Sequence, residues 1–289
     1  MVLMQTGNDA AARPHGPVPR RDPRAPRPAL VRALLLVLTM TLAGCNPERG
    51  AAMDLRDACE AGDAAACDAF ATRLLNGDHV LRDEGRAAGL FDRACAGGVV
   101  AGCAQLGVMQ EDGTGVERDS TAAAALHTRA CDASVMSACT RLAALHREGR
   151  VLAADTPRAA VLFERSCTGG DAEGCAGLGE LHLLGAGVAL DTARAAVLLE
   201  QGCDGDVSSG CVGLARLLTV GAGVAQDEPR AAEMFRKACE DGSGAGCFHL
   251  SDALATGRGV EQSLDQAAFM RRRACRMGYA DACPKPTES

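Results

Sequence analysis

Fourteen of the fifteen cysteines fall into seven Cys-x7-Cys pairs, and each pair begins 36 residues after the one before it. The pairs are Cys59 with Cys67, Cys95 with Cys103, Cys131 with Cys139, Cys167 with Cys175, Cys203 with Cys211, Cys239 with Cys247 and Cys275 with Cys283. A period of this length, kept without one insertion, marks a stack of repeated supersecondary units. Such a unit cannot bury its apolar face alone and does so against its neighbours. Six full units follow, at 63–98, 99–134, 135–170, 171–206, 207–242 and 243–278. A half-repeat helix over 53–62 precedes them, and a truncated repeat with a tail over 279–289 follows.

Other positions recur in the same frame. A small residue precedes each second cysteine, for example Gly174 and Gly210, and an apolar residue such as Leu178 or Leu214 follows three later. A glycine then ends the first segment (Gly77, Gly113, Gly149, Gly185, Gly221, Gly257), where the left-handed turn of a helix stop is needed. Short loops follow, reading GTGV, GAGV, GAGV and GRGV in units two, four, five and six. Asp83, Asp119, Asp155, Asp191, Asp227 and, in the last unit, Ser263 stand where a helix N-cap belongs. Pro157 and Pro229 sit in the first turn that follows, where a missing N–H does little harm. The segments after the caps, such as RAAVLFERSC, carry apolar residues at helical spacing. Each unit therefore reads as helix A, a glycine loop and helix B. One helix B position holds Phe91, His127, Phe163, Leu199 and Phe235, then Arg271 in the last unit, where no further repeat needs an apolar contact.

This pattern resembles the Sel1-like repeat, a relative of the tetratricopeptide repeat, in its secreted cysteine-rich Hcp form. The resemblance covers residues 53–283. It implies an all-α fold, a right-handed α/α solenoid with one disulfide per repeat junction, linking each cysteine to the one eight positions on. The geometry allows this, because antiparallel helices joined by a short turn bring Cα atoms within about 4.4–6.8 Å. Two other readings of the pairs are a metal site and a redox-active dithiol. Zinc sites favour closer cysteine spacing and four ligands, and redox pairs favour Cys-x-x-Cys. No metal or cofactor site is expected.

The fifteenth cysteine has a different setting. Residues 1–32 are rich in Pro and Arg, and the apolar run ALLLVLTMTL leads into Ala43-Gly44-Cys45. A basic region, a short apolar run and small residues before a cleavage point make a secretory signal. The run is too short for a lasting membrane span. The ending Leu42-Ala43-Gly44-Cys45 resembles the bacterial lipobox. This implies a signal peptide over 1–44, a lipid on Cys45, a short linker over 45–52, and a lipid-anchored protein in the cell envelope, facing the periplasm or the cell surface. Disulfides persist in such oxidising compartments.

Charge narrows the partners. The whole chain carries net −7. The leader holds six Arg and two Asp, so the remainder has 24 basic and 35 acidic residues, a net of −11. With only Lys237 and Lys285 as lysines, it would repel nucleic acid. A basic protein or peptide partner is favoured on charge alone.

Catalytic motifs are sparse. There is no Ser-x-x-Lys, Lys-Thr-Gly, His-Glu-x-x-His or Gly-x-Ser-x-Gly, and Ser251-Asp252-Ala253 departs from the Ser-Asp-Asn element of β-lactamases at its third residue. His146 and His182 share a repeat position but stand one repeat apart, too far to share a metal, and His79 and His249 lie elsewhere. Glu164, Glu200 and Glu233 read as solvated helix faces. The first expectation for function is an interaction scaffold that binds an envelope protein or peptide. The Hcp resemblance implies the second: slow β-lactamase activity, or binding of penicillins or cell-wall peptides. No catalytic residue can be named for it.

Overall fold

The computed structural model describes residues 47–149 and 154–284. Thirteen α-helices among the described residues run in chain order: α1 (Pro47–Glu60), α2 (Ala64–Asn76), α3 (Glu84–Ala96), α4 (Val100–Asp112), α5 (Ser120–Asp132), α6 (Met136–Glu148), α7 (Thr156–Thr168), α8 (Ala172–Leu184), α9 (Thr192–Asp204), α10 (Ser208–Val220), α11 (Glu228–Glu240), α12 (Gly244–Thr256) and α13 (Leu264–Arg276). A short 3-10 turn, Ala280–Ala282, closes the stack. Among the described residues there is no strand. Even-numbered helices are A helices and odd-numbered ones are B helices. From α2 onward each helix packs on the next. Successive A helices also meet, α6 on α8, α8 on α10 and α10 on α12, whereas successive B helices do not touch to the same extent. The A helices therefore line the crowded side of the stack.

The caps form as side-chain chemistry requires. Asp83, Asp155, Asp191 and Asp227 each accept a backbone N–H three residues on, at 2.9–3.0 Å. Asp119 accepts two, from Thr121 and Ala122. Helices α4, α6 and α10 begin after Val99, Val135 and Val207, which supply no such bond. The helix expected over 53–62 begins earlier, at Pro47. Proline suits the first helical position, Glu48 is favourable beside the positive helix end, and Ala52 is buried.

The glycine loops have a reason beyond turning the chain. In GAGV of unit five, Gly221 closes α10 with φ +70°, and Gly223 lies against the start of α9 with φ +74°. A Cβ on Gly223 would stand 2.4 Å from the Thr192 carbonyl. So in units two, four, five and six the second glycine lets the loop rest on the N-terminal turn of the preceding B helix. In unit one that place is held by His79, at φ 59°, and its Nε2 lies 3.8 Å from Glu48 Oε2.

Burial follows the repeat. Phe91, His127 and Leu199 are fully buried, and Phe163 and Phe235 nearly so. Their partners include helix glycines: a Cβ on Gly177 would meet the Phe163 ring at 2.6 Å, and one on Gly213 would meet Leu199 at 2.9 Å. Arg271, the last residue of this series, is exposed.

Each cysteine pair is a disulfide that closes one junction between a B helix and the A helix after it. Cys59 bonds Cys67, Cys95 bonds Cys103, Cys131 bonds Cys139 and Cys167 bonds Cys175. Cys203 bonds Cys211, Cys239 bonds Cys247, and Cys275 bonds Cys283 at the closing turn. Cα atoms stand 4.5–4.8 Å apart in all seven, near the short end of the range a disulfide accepts. The seven-residue turns thus place both cysteines of a pair in register for a disulfide.

A further tie joins successive B helices. The Arg93 guanidinium donates to the Cys59 carbonyl oxygen (2.7 Å), and Arg273 does the same at Cys239 (3.1 Å). Lys237 reaches Asp206 at 3.0 Å in the equivalent register. Cations placed on the C-terminal carbonyls of a helix satisfy its free acceptors and its dipole.

Candidate functional site

On an A helix, residues at i, i+4, i+7 and i+11 share one face. The opposite face carries the buried cysteine and leucines; on this stripe only the glycines, packed on the preceding B helix, are buried. It reads Glu173, Gly177, Glu180, Leu184 on α8; Ser209, Gly213, Arg216, Val220 on α10; and Ala245, His249, Asp252, Thr256 on α12. Ten of these residues, all but Glu173 and Gly177, line a single groove of about 970 Å³, with Phe235 and Tyr279 among its walls. Two apolar side chains stand exposed on its rim, Leu184 at 73% and Val220 at 67%.

Glu180, Arg216 and Asp252 stand at the same repeat position, 36 residues apart. The two carboxylates are occupied. Glu180 accepts from the Arg147 guanidinium at 2.9 Å, and Asp252 lies 3.6 Å from that of Arg271. Arg216, exposed between them, has no ion pair among the described residues, and neither has Arg258 on the groove's edge. His249 stacks on Phe235, with ring centroids 5.1 Å apart, and meets Phe248 edge-on at 5.3 Å. Burial first, then the charge of Arg216, hold the His249 pKa below the ordinary imidazole value, against the opposing pull of Asp252.

A second polar cluster lies nearer the N-terminus. The buried His127 ring points Nε2 at Glu111 Oε2 (3.3 Å), which also takes Arg141 at 3.5 Å. Its Nδ1 is buried without a partner. Burial outweighs the nearby carboxylate and lowers the His127 pKa.

Cys45 and the leader lie outside the described residues. His146 is buried, and its Nε2 accepts from Arg158 at 3.2 Å. His182 uses its Nδ1 toward the Ala189 carbonyl instead. The two do not converge. Ser251 is buried and donates to the Phe248 carbonyl at 2.6 Å. Glu200 pairs with Arg230 at 3.0 Å, Glu233 pairs with Arg236, and Glu164 is exposed. Among the described residues no three or more His, Cys, Asp or Glu side chains gather as a metal site would need. No described helix is long and apolar enough to cross a membrane. The groove threonines are held by their own helices, Thr219 on Ala215 and Thr256 on Asp252. Ser243 caps α12 through Gly246.

Sequence reasoning reaches the stack and its staples but not Arg216. The repeat alignment carries a signal: acid, base, acid at one position of three successive A helices.

Comparison with known proteins bears on the fold. The family model described as Sel1 repeat matches residues 64–99, 100–135, 137–171, 172–207, 208–243 and 244–279. No protein of curated function matches. Among solved structures, c5321, a protective antigen of uropathogenic Escherichia coli strains with an SLR fold, is 24% identical at a TM-score of 0.67, over 80% of this chain. The match spans 50% of that antigen's length. A Sel1 repeat protein from Oxalobacter formigenes is 22% identical at a TM-score of 0.67, over 75% of this chain and 89% of its own. Cysteine rich protein B of Helicobacter pylori is 26% identical over 47% of this chain and 97% of its own, with a TM-score of 0.36.

Proposed function

The chain belongs to the Sel1-repeat family, and from that premise we propose that it is a disulfide-stapled scaffold whose A-helix groove binds an extended segment of a partner protein. One observation carries this reading. The stripe on α8, α10 and α12 leaves Leu184 and Val220 standing free on the rim of a 970 Å³ groove. Exposed apolar side chains rimming a concave, partly polar surface mark an interaction site. We place the scaffold in the cell envelope. Seven disulfides suit an oxidising compartment, and the Leu42–Cys45 stretch supports a lipid anchor on Cys45.

The test is a photo-crosslinking amino acid placed at Val220, in the groove, and at Val197, half exposed on helix α9. A discrete adduct from position 220 in intact cells, with none from 197, supports the reading. Equal labelling from both positions refutes it.

A further inference from the structure

We propose that Arg216 is a carboxylate anchor, so that the segment bound in the groove presents a carboxylate to its guanidinium beside an apolar side chain. This rests on the groove reading above and adds the chemistry of the ligand.

At the repeat position shared by α8, α10 and α12, both acids already hold arginines from neighbouring helices, Arg147 on Glu180 and Arg271 on Asp252. Each of these carboxylates thus has a cation beside it. Arg216 lies between them, exposed and without an ion pair among the described residues. Arg258, at the same groove, adds a second cation with no ion pair among those residues. An arginine fork is shaped for two parallel hydrogen bonds to a carboxylate. Its surroundings strengthen such a bond. The His249–Phe235 stack forms one wall, and the apolar Val220 sits one helical turn from Arg216 on the same stripe. A segment seated against these walls would displace water from the contact, and a lower local dielectric strengthens it.

Net charge sharpens the choice. Beyond the leader the chain carries net −11, so acidic segments are repelled from most of its surface. A local cation on an otherwise acidic protein fixes where and in what register an acidic segment lands. Of the three acids lining the groove, Glu180 and Asp252 have arginine partners, and Glu228, on the first turn of α11, accepts only from the Gln226 amide among the described residues. The carboxylate has two possible sources, a peptide C-terminus or an Asp or Glu side chain, and the experiment separates them.

The oxidised protein is titrated by calorimetry with four octapeptides of alternating Ala and Leu. One has a free C-terminus. The other three are amidated: one carries an internal Glu, one an internal Lys, and one is neutral. The expected result is that a carboxylate form binds at least tenfold tighter than the neutral one, the scale of a charge-assisted bidentate contact. Which form prevails identifies the source. Arg216→Gln should abolish the preference, Arg216→Lys should restore part of it, and melting temperatures should stay unchanged because the side chain is exposed. An independent readout is the His249 imidazole followed by NMR. A seated carboxylate offsets the Arg216 charge that lowers the His249 pKa, so that pKa rises on binding, and Arg216→Gln removes the rise. If all four peptides bind alike and Val220→Arg blocks them, the groove stands and the anchor falls. Tighter binding of the Lys peptide also overturns the anchor. If none binds, both the groove and the anchor fall.

Discussion

Replacing Gly223 by alanine should destabilise the protein several times more than replacing Gly221, two residues earlier. Both glycines have left-handed backbones, φ +74° and φ +70°. The conformational penalty on alanine is therefore the same, about 1 kcal/mol. The space around them differs. A Cβ at 221 meets the Gln226 side chain at 3.2 Å, in a loop that can give. A Cβ at 223 stands 2.4 Å from both the carbon and the oxygen of the Thr192 carbonyl. An ordinary carbon–oxygen contact is about 3.3 Å, so the start of α9 would have to move by roughly 0.9 Å. That displaces a turn whose cap is the 2.9 Å bond from the Arg194 amide to Asp191. Loss of the cap costs about 1 kcal/mol, and overpacking costs about 1–3 kcal/mol more. The totals are about 1 kcal/mol for Gly221→Ala and about 3–5 kcal/mol for Gly223→Ala. For a chain of this size the losses in Tm are roughly 3 °C and at least about 9 °C. Differential scanning calorimetry of the oxidised protein measures both. Hydrogen exchange should show extra fraying at Thr192–Arg194 in Gly223→Ala only. Equal losses would refute the idea that the second glycine exists for close approach.

Removing the central staple with Cys167→Ala and Cys175→Ala together frees a nine-residue loop and should lower stability by about 2.5 kcal/mol on the chain-entropy model, measured by urea denaturation. Stability should also fall with acid. Burial holds the His127 pKa below its ordinary value, so the unfolded chain takes up the proton first. Stability present at neutral pH is lost as pH drops through about 6.5 and levels off below the folded value. His127→Phe, matching Phe91 and Phe163 in the repeat, should flatten that part of the pH profile of Tm. Metabolic labelling with a fatty acid should mark the wild-type chain, and Cys45→Ala should lose the label. An unlabelled wild type would remove the anchor from the account.

The stack is legible because its determinants are local. Asp83 and its counterparts cap within three residues, and each disulfide, from Cys95 to Cys103 or from Cys203 to Cys211, spans a turn of seven residues. Both can be read along the chain. The start of α1 escapes the pattern because Ala52 is buried by packing rather than marked by the repeat. The second loop glycine looks like a turn residue, because its true neighbour, Thr192, lies 31 positions earlier. The groove is least legible. Arg147 binds Glu180 from the previous A helix, and Arg271 binds Asp252 from the following B helix. Only these tertiary pairings leave Arg216 unmatched. Total charge, −11 beyond the leader, sums over the whole surface and carries no sign of this one unmatched cation.

Both the scaffold and its compartment rest on the staples, so non-reducing peptide mass mapping of the protein recovered from cells tests the account most directly. Seven closed loops are expected, each joining a cysteine to the one eight positions on, such as Cys131 to Cys139 and Cys239 to Cys247, with no free thiol among those fourteen. Free thiols at these positions, or pairs that cross from one repeat to another, would contradict it.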